Sequence, residues 1–339
     1  MCKRILTASR ILYSVLISLI LCAALFTAGC GQNNVPVQEE KLIRVGFSQV
    51  GSESDWRMAN TASMISALSE ENGFELIFDN AKQRQENQLL AIRNFIQQDV
   101  DYIVLAPIAE SGWDDVLQEA KEAGIPVIIV DRQIAVSDDD LYTSWVGSNF
   151  LAEGQRAVRW LEGTIRQQGR LNHPLRILHI QGTDGATAQI QRTKALDDAV
   201  RTHPGWTIVS RLKGEYTEAK AYELVRDFLA TGQQIDVIYS ENDNMSFGAI
   251  RALEEAGISC GTDKDVMIIS FDAVRDALRQ CLEGRISICV ECNPLHGPRV
   301  ASLIMQLEAG EIPAKLTYVD ETFFSPGILS EELINEREY

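Results

Sequence analysis

From residue 42 onward two hydrophobic patterns alternate along the chain. Short apolar runs at 42–47, 74–78, 102–106 and 126–130 predict strands. The 126–130 run shows no polar alternation, which marks a strand buried on both faces, as in a parallel sheet. Between the runs lie longer amphipathic stretches, at 56–72, 85–98 and 113–123, which predict helices. On the first, Met58, Ala62, Ile65 and Leu68 are expected to face the core; on the second, Leu89, Ile92 and Ile96. Gly124 and Pro126 stop the third. The same units then resume, with strands at 175–180, 206–210, 237–240, 266–270 and 286–291 and helices over 189–202, 217–231 and 245–256. The stretch 142–147 reads as a bridge between the two sets, and 162–174 as a surface helix end and loop. Strands alternating with helices of this length build βαβ units. The expected fold class is therefore α/β, as two doubly wound lobes with parallel sheets. No fixed period repeats, so the chain is not a solenoid.

In open sheets of this kind, ligands settle outside the carboxyl ends of the strands. The 126–130 strand runs straight into Asp131-Arg132. That pair offers acceptor oxygens beside a rigid fork of donors; the plainer reading is a salt bridge at a strand end. The first strand ends in Ser48-Gln-Val-Gly-Ser-Glu-Ser-Asp-Trp56. Within it backbone N–H groups at the helix start can donate, Glu53 and Asp55 can accept hydrogen bonds, and Trp56 can lie flat on an apolar face. Ser54 or Asp55 also suits a helix N-cap, and Trp56 a core. In the second set, Gln181-Gly-Thr-Asp-Gly185 leads to a helix carrying Arg192. Neither GxGxxG nor GxxxxGK[ST] is present, so a nucleotide is not indicated; Arg192 alone would pass for a solvated helix charge. Asn242, Asp272 and Glu291 end three further strands. Donors and acceptors at strand ends of both sets predict a cleft for a ligand rich in hydroxyls.

The 339 residues, 45% of them hydrophobic, suffice for two such cores. The net charge of −17, with no basic patch, argues against a nucleic-acid partner. At the start, Lys3, Arg4 and Arg10 precede an apolar stretch at 11–26 that closes in Thr27-Ala-Gly-Cys30. A charged start, an apolar core and small residues before a cut predict a secretory signal peptide over 1–29. The apolar stretch is short against the roughly 20 residues of a spanning helix. Thr27 to Cys30 resembles a bacterial lipobox, although Leu is usual at its first position; this implies lipid on Cys30 and attachment to the outer face of the membrane. Residues 30–41 read as a tether. Cys260, Cys281, Cys289 and Cys292 remain in the mature chain, and sequence does not choose among their pairings. Cys289-x-x-Cys292 falls on a strand and does not open a helix, unlike a redox motif. None of the four histidines stands at ligand spacing to a cysteine, so neither a metal nor a cofactor is expected.

Taken in order, VGFSQVGSESDWR at 45–57, QRQENQ at 83–88, APIAESGW at 106–113, VDR at 130–132, LHIQGTDGATAQIQR at 178–192, END at 241–243, SFDAV at 270–274 and VECNP at 290–294 carry a resemblance. The chain resembles the type I sugar-binding proteins of ABC importers, the ribose- and galactose-binding group, and is most similar to their galactofuranose-binding branch. The resemblance covers residue 42 to the C-terminus. It implies a Venus-flytrap fold with a hinge of three crossovers near 142–149, 291–294 and 313–320. One lobe would hold 42–147 plus 294–312, and the other 148–291 plus 320–339. It further implies sugar contacts from Gly51, Ser52, Glu53, Ser54, Asp55, Trp56, Asp131, Arg132, Arg192, Asn242, Asp272 and Glu291. A monosaccharide ligand, galactofuranose or a relative of it, ABC permease subunits as partners, a monomer and no catalysis follow from the same source. The chain departs from the branch at Asp55, where Gly is usual, and at Cys289 and Cys292, which flank Glu291.

Two other classes fit the same residues. A lipoprotein of this kind can present its sugar to a receptor or a sensor kinase. A secreted glycosidase would pair two carboxylates, such as Glu53 and Asp131; Arg132 beside Asp131 should depress the pKa that a general acid needs raised. A repressor shares the lobe architecture, but the leader and the lack of DNA-binding helices exclude it.

Overall fold

The structure, a computed structural model, describes residues 41–170 and 173–339. The leader, Cys30 and nearly all of the tether lie outside the described residues. The first sheet contains β1 (Ile43–Gln49), β2 (Phe74–Asn80), β3 (Tyr102–Leu105), β4 (Val127–Val130), β5 (Ser144–Gly147) and the late strand β11 (Leu316–Tyr318). The second contains β6 (Leu175–Gln181), β7 (Trp206–Lys213), β8 (Val237–Ser240), β9 (Met267–Asp272), β10 (Ile288–Glu291) and β12 (Phe323–Phe324). Their orders, β2-β1-β3-β4-β5-β11 and β7-β6-β8-β9-β10-β12, are the same doubly wound order. All pairings are parallel except β10 with β12. In each lobe the chain starts mid-sheet and reverses direction after two strands, which opens a crevice at the strand carboxyl ends.

The apolar runs lack polar alternation because both faces of each sheet are covered. In the first sheet Val104, Ile128 and Val130 point into one core, while Ile103, Leu105, Val127 and Ile129 point into the other. The second sheet divides Ile180 and Ile268 from Ile177 and Ile269 in the same way. The covering helices of the first lobe are α1 (Asp55–Ala67), α2 (Gln85–Gln97) and α3 (Asp114–Glu122). Those of the second are α4 (Phe150–Gln167), α5 (Thr187–Thr202), α6 (Glu218–Leu229), α7 (Asp243–Glu255) and α8 (Arg275–Leu282). Helix α9 (Gly297–Glu308) returns to pack on α1, and α10 (Glu331–Glu336) packs on α8. No helix among the described residues is long and apolar enough to cross a membrane.

Three details differ from the sequence reading. The bridge at 142–147 is a strand, β5, hydrogen-bonded to β4. The chain stays with the first sheet through β11, so the first lobe reaches Tyr318 and not only residue 312, while the crossing itself falls within the expected 313–320. Most informative is α1, where Met58 (51% exposed), Ile65 (46%) and Ala62 face outward, while Arg57, Asn60, Met64 and Leu68 are buried. The inner face of α1 is polar because it reaches the other segments around the cleft. Asn60 accepts from Gln49 Nε2 (2.9 Å) and donates to Pro294 O (2.9 Å). Of the four residues expected inward only Leu68 is buried, so the apolar stripe misplaced the other three.

A closed cleft as the candidate sugar site

Each sheet ends in an aspartate held in left-handed backbone, Asp131 after β4 (φ 65°) and Asp272 at the end of β9 (φ 101°). Such a conformation costs a non-glycine residue energy and persists only where neighbours impose it. Asp131 N donates to Val146 O (3.0 Å) and Trp145 Nε1 donates to Asp131 O (3.1 Å). Gly147 is needed there, since a Cβ would stand 2.5 Å from Asp131 O. The result aims both carboxylates into the gap between the lobes.

In the first lobe Arg57 organises the acids. It donates from Nη2 to Asp131 Oδ2 (2.7 Å), from Nε to Glu53 Oε1 (3.1 Å) and from Nη1 to Gln49 Oε1 (3.2 Å). Burial pushes the Asp131 pKa up, but Arg57, Arg132 and His296 outweigh it, so the carboxyl stays ionised below the ordinary range. Ser54 caps α1, its side chain accepting from Arg57 N (3.2 Å). Arg132 donates to Ile108 O (2.8 Å) and lies 5.4 Å from the ring of Tyr216 in the other lobe.

In the second lobe Arg192, on α5, is buried. It donates to Glu153 Oε2 (2.8 Å) and Glu241 O (2.5 Å), approaches Asp272 Oδ1 (3.5 Å) and lies against the rings of Phe150 and Phe271. Burial drives the Asp272 pKa well up, against the pull of Arg192. The two strand-end acids are thus shifted in opposite directions, Asp131 down and Asp272 up. Asn242 caps α7, accepting from Met245 N (2.9 Å) and donating to Tyr216 O (3.2 Å). The Tyr216 ring lies directly on Gly182, where any Cβ would fall 1.9 Å from it.

These side chains surround a small cavity between the lobes, with about 30 Å³ of free space. Of the residues inferred from sequence, Glu53, Ser54, Trp56, Asp131, Arg132, Arg192, Asn242 and Asp272 line it. Gly51, Ser52, Asp55 and Glu291 do not. Ser52 is exposed and accepts from Asn80 at the rim (3.1 Å). Glu291 is taken by the C-terminal tail, through Arg337 (2.8 Å), Tyr339 (3.1 Å) and Thr322 N (3.0 Å). The structure adds Arg57, Phe150, Ala188, Tyr216 and Cys292. Arg57 was legible as a base four residues after Glu53. Tyr216 had no local signal, because only sheet packing brings its loop over the cleft. The four cysteines are buried free thiols. Burial raises Cys289 and Cys292 well above the usual thiol value and Cys260 to about 11, which suits inert side chains.

The lobes are shut. Asp55 N donates to Asn244 Oδ1 (3.0 Å) while Asn244 Nδ2 donates to Asp55 Oδ2 (3.1 Å) across the cleft mouth. Gln133 N and the Thr187 hydroxyl exchange bonds (2.9 and 3.2 Å), and Glu110 N reaches Gly185 O (3.0 Å). Asp55 is thus a latch between the lobes and not part of the cavity wall. Asp55→Ala is expected to weaken every bound sugar by the same factor, about 1 kcal/mol for the one side-chain hydrogen bond lost, since the backbone N–H still reaches Asn244. Calorimetry on two sugars checks this; a changed ratio between them would mean that Asp55 touches the ligand.

The family described as periplasmic binding protein domain matches residues 45–311. The galactofuranose-binding protein YtfQ of Escherichia coli (strain K12) is 37% identical over 295 residues, covering 86% of this chain and 90% of its own. The binding component of the arabinose ABC transporter from Shewanella sp. ANA-3, solved with α- and β-L-arabinofuranose, is 38% identical with a TM-score of 0.80, covering 87% and 95%. A Mycobacterium smegmatis protein solved with β-D-fucofuranose also shows 38% identity and a TM-score of 0.80, covering 84% and 92%. The chain belongs to the periplasmic binding protein domain family, among the sugar-binding proteins of ABC transporters, and is not an enzyme.

Proposed function

We propose that this protein captures one furanose sugar, galactofuranose or a near relative, outside the cytoplasm and delivers it to an ABC importer, as a monomer tethered by lipid on Cys30. The observation that carries the reading is the unmatched polarity of the cavity. Glu53 Oε2 from one lobe and Tyr216 Oη from the other are buried without a hydrogen bond inside the protein. A ring bearing hydroxyls on all sides supplies a donor to the first and a partner to the second. Asp131 takes further hydroxyl protons, Arg132 and Arg192 give to ring and hydroxyl oxygens, and Trp56 and Phe150 cover apolar faces. Hydrogen bonds to charged groups contribute about 1.5–3 kcal/mol each, so a few suffice for micromolar binding or tighter. Because both lobes supply contacts, the sugar favours the closed form by its differential affinity. The furanoses held by the relatives above support the five-membered ring, and the leader ending in Cys30 supports export and lipidation.

A thermal-shift panel tests this. Galactofuranose, arabinofuranose and fucofuranose, as free sugars or as fixed-ring methyl glycosides, are compared with the matching pyranosides. A ligand at a hundred times its Kd stabilises the native state by about 2.7 kcal/mol, so the fitting furanose raises Tm by several degrees. A response to pyranosides alone overturns the ring assignment, and silence across the panel overturns the proposal.

A further inference from the structure

We propose that Glu153 and Glu321 share one proton where the three crossovers meet, and that closing the lobes over sugar takes this proton up. The inference rests on sugar capture by closure; the pair itself is also tested without sugar.

The three crossovers are tied to one another by side chains. Ser148 comes from the first, Cys292 and Asn293 from the second and Glu321 from the third. Ser148 Oγ donates to Glu321 Oε1 (2.6 Å), and so does Asn293 N (2.8 Å); Ser148 Oγ also lies 3.3 Å from Cys292 Sγ. Glu153 stands in the first turn of α4, just past the first crossover. Its Oε2 is held by Arg192, but its Oε1 is buried with no hydrogen-bond partner. Carboxylate oxygens of Glu153 and Glu321 and the Cys292 sulfur all lie within 4.8 Å of one another.

Other groups facing the pair do not balance it. Arg192 on α5, already bonded to Glu153, and Arg156 on α4 are the nearby cations; neither forms a salt bridge to Glu321, and the Cys292 thiol stands neutral beside the pair. Two carboxylates this close and this buried do not both ionise. Glu321 Oε1 already accepts twice, so a proton on its other oxygen makes the donor that Glu153 Oε1 lacks. Burial first, then the neighbouring Glu153, raises Glu321 to about 9, and burial raises Glu153 as well. The same three ligand atoms would suit a thiophilic dication. However, the Arg192 guanidinium stands 2.7 Å from Glu153 Oε2, where it would repel that ion. The proton is therefore the occupant.

Opening the hinge lets water reach the pair and lowers its pKa part of the way towards the ordinary carboxylate value, while burial among the crossovers keeps it raised without sugar. Closure then binds a proton, and affinity falls as pH rises between the open-state pKa and about 9. The stability contribution has the same sign. The pKa is raised on folding, so the contribution is complete below the ordinary value of 4.5 and is lost as pH rises through about 9.

Glu321→Gln places an amide N–H where the proton would be and should fold normally. Thermal unfolding of the intact protein from pH 6 to 9.5, without sugar, should show wild type losing stability relative to this variant. Calorimetry with methyl galactofuranoside, in buffers of different ionisation enthalpy, should show proton uptake on binding. The wild-type Kd should rise by up to tenfold per pH unit, and that of the variant should stay flat. Parallel unfolding profiles overturn the shared proton, as does zinc binding one-to-one that is lost in the variant. A flat wild-type Kd without proton uptake overturns the link to closure. Failure of the glycoside to bind at any pH indicts the sugar assignment instead, and the sugar-free profiles still decide the pair.

Discussion

Arg132→Ala is expected to weaken sugar binding by about 2–4 kcal/mol, or roughly 30- to 1,000-fold in Kd, with only a small loss of stability. The guanidinium is 2% exposed and borders the cavity from the first lobe. One nitrogen is spent on Ile108 O, and the rest of the fork faces the cavity near Glu53 and Asp131, each at 3.9 Å. Truncation removes donors that bind sugar only in the closed form. The first-lobe acids keep Arg57, so no carboxylate is left without a cation. Calorimetry together with Tm reads both parts. Unchanged affinity would remove Arg132 from the site, and a collapse in Tm would make it a structural residue.

Arg192→Ala should behave differently and unfold the second lobe more easily, by about 3–5 kcal/mol, besides abolishing sugar binding. Glu153 is wholly buried, and Arg192 is its bonded cation. Glu241 O loses its partner too, and the rings of Phe150 and Phe271 lose the group between them. Urea denaturation followed by far-UV circular dichroism measures the cost. Glu153→Gln added to Arg192→Ala should return part of the stability, because the stranded charge goes with it, but none of the affinity. Equal stability of the single variant and wild type would show that the Arg192–Glu153 pair holds nothing together.

The candidate site was legible in proportion to how local its residues are. Asp131-Arg132, Glu53 with Trp56, and Asp272 follow strands whose apolar runs could be read directly, so their position at strand ends followed from the pattern. Asp55 was recognisable as a carboxyl near the mouth, but its partner Asn244 lies 189 residues away. Whether it met sugar or the facing lobe depended on closure. Glu291 ends a strand like the others, yet its side chain is claimed by Arg337 and Tyr339 at the far end of the chain. Phe150 and Tyr216 stand in segments whose sequence marks only a helix start and a loop.

The chain's own pattern determined the two α/β lobes. Unbroken apolar runs demand sheets covered on both faces, and the helices that cover them carry period 3.6 between those runs. It also determined that strand ends would present acids and guanidinium groups, since those residues directly follow the runs. Only the tertiary structure decided that α1 turns Arg57 and Asn60 inward and leaves Met58 and Ile65 outside, because a cleft rewards polar contacts on a helix face that hydropathy assigns to solvent. It alone decided how the acids titrate. The Asp131 pKa is lowered beside Arg57 while that of Asp272 is raised by burial, as the balance depends on which buried cations lie within a few ångströms. The meeting of Ser148, Glu153, Cys292 and Glu321 was decided there too, for no sequence spacing brings three separate crossings to one point.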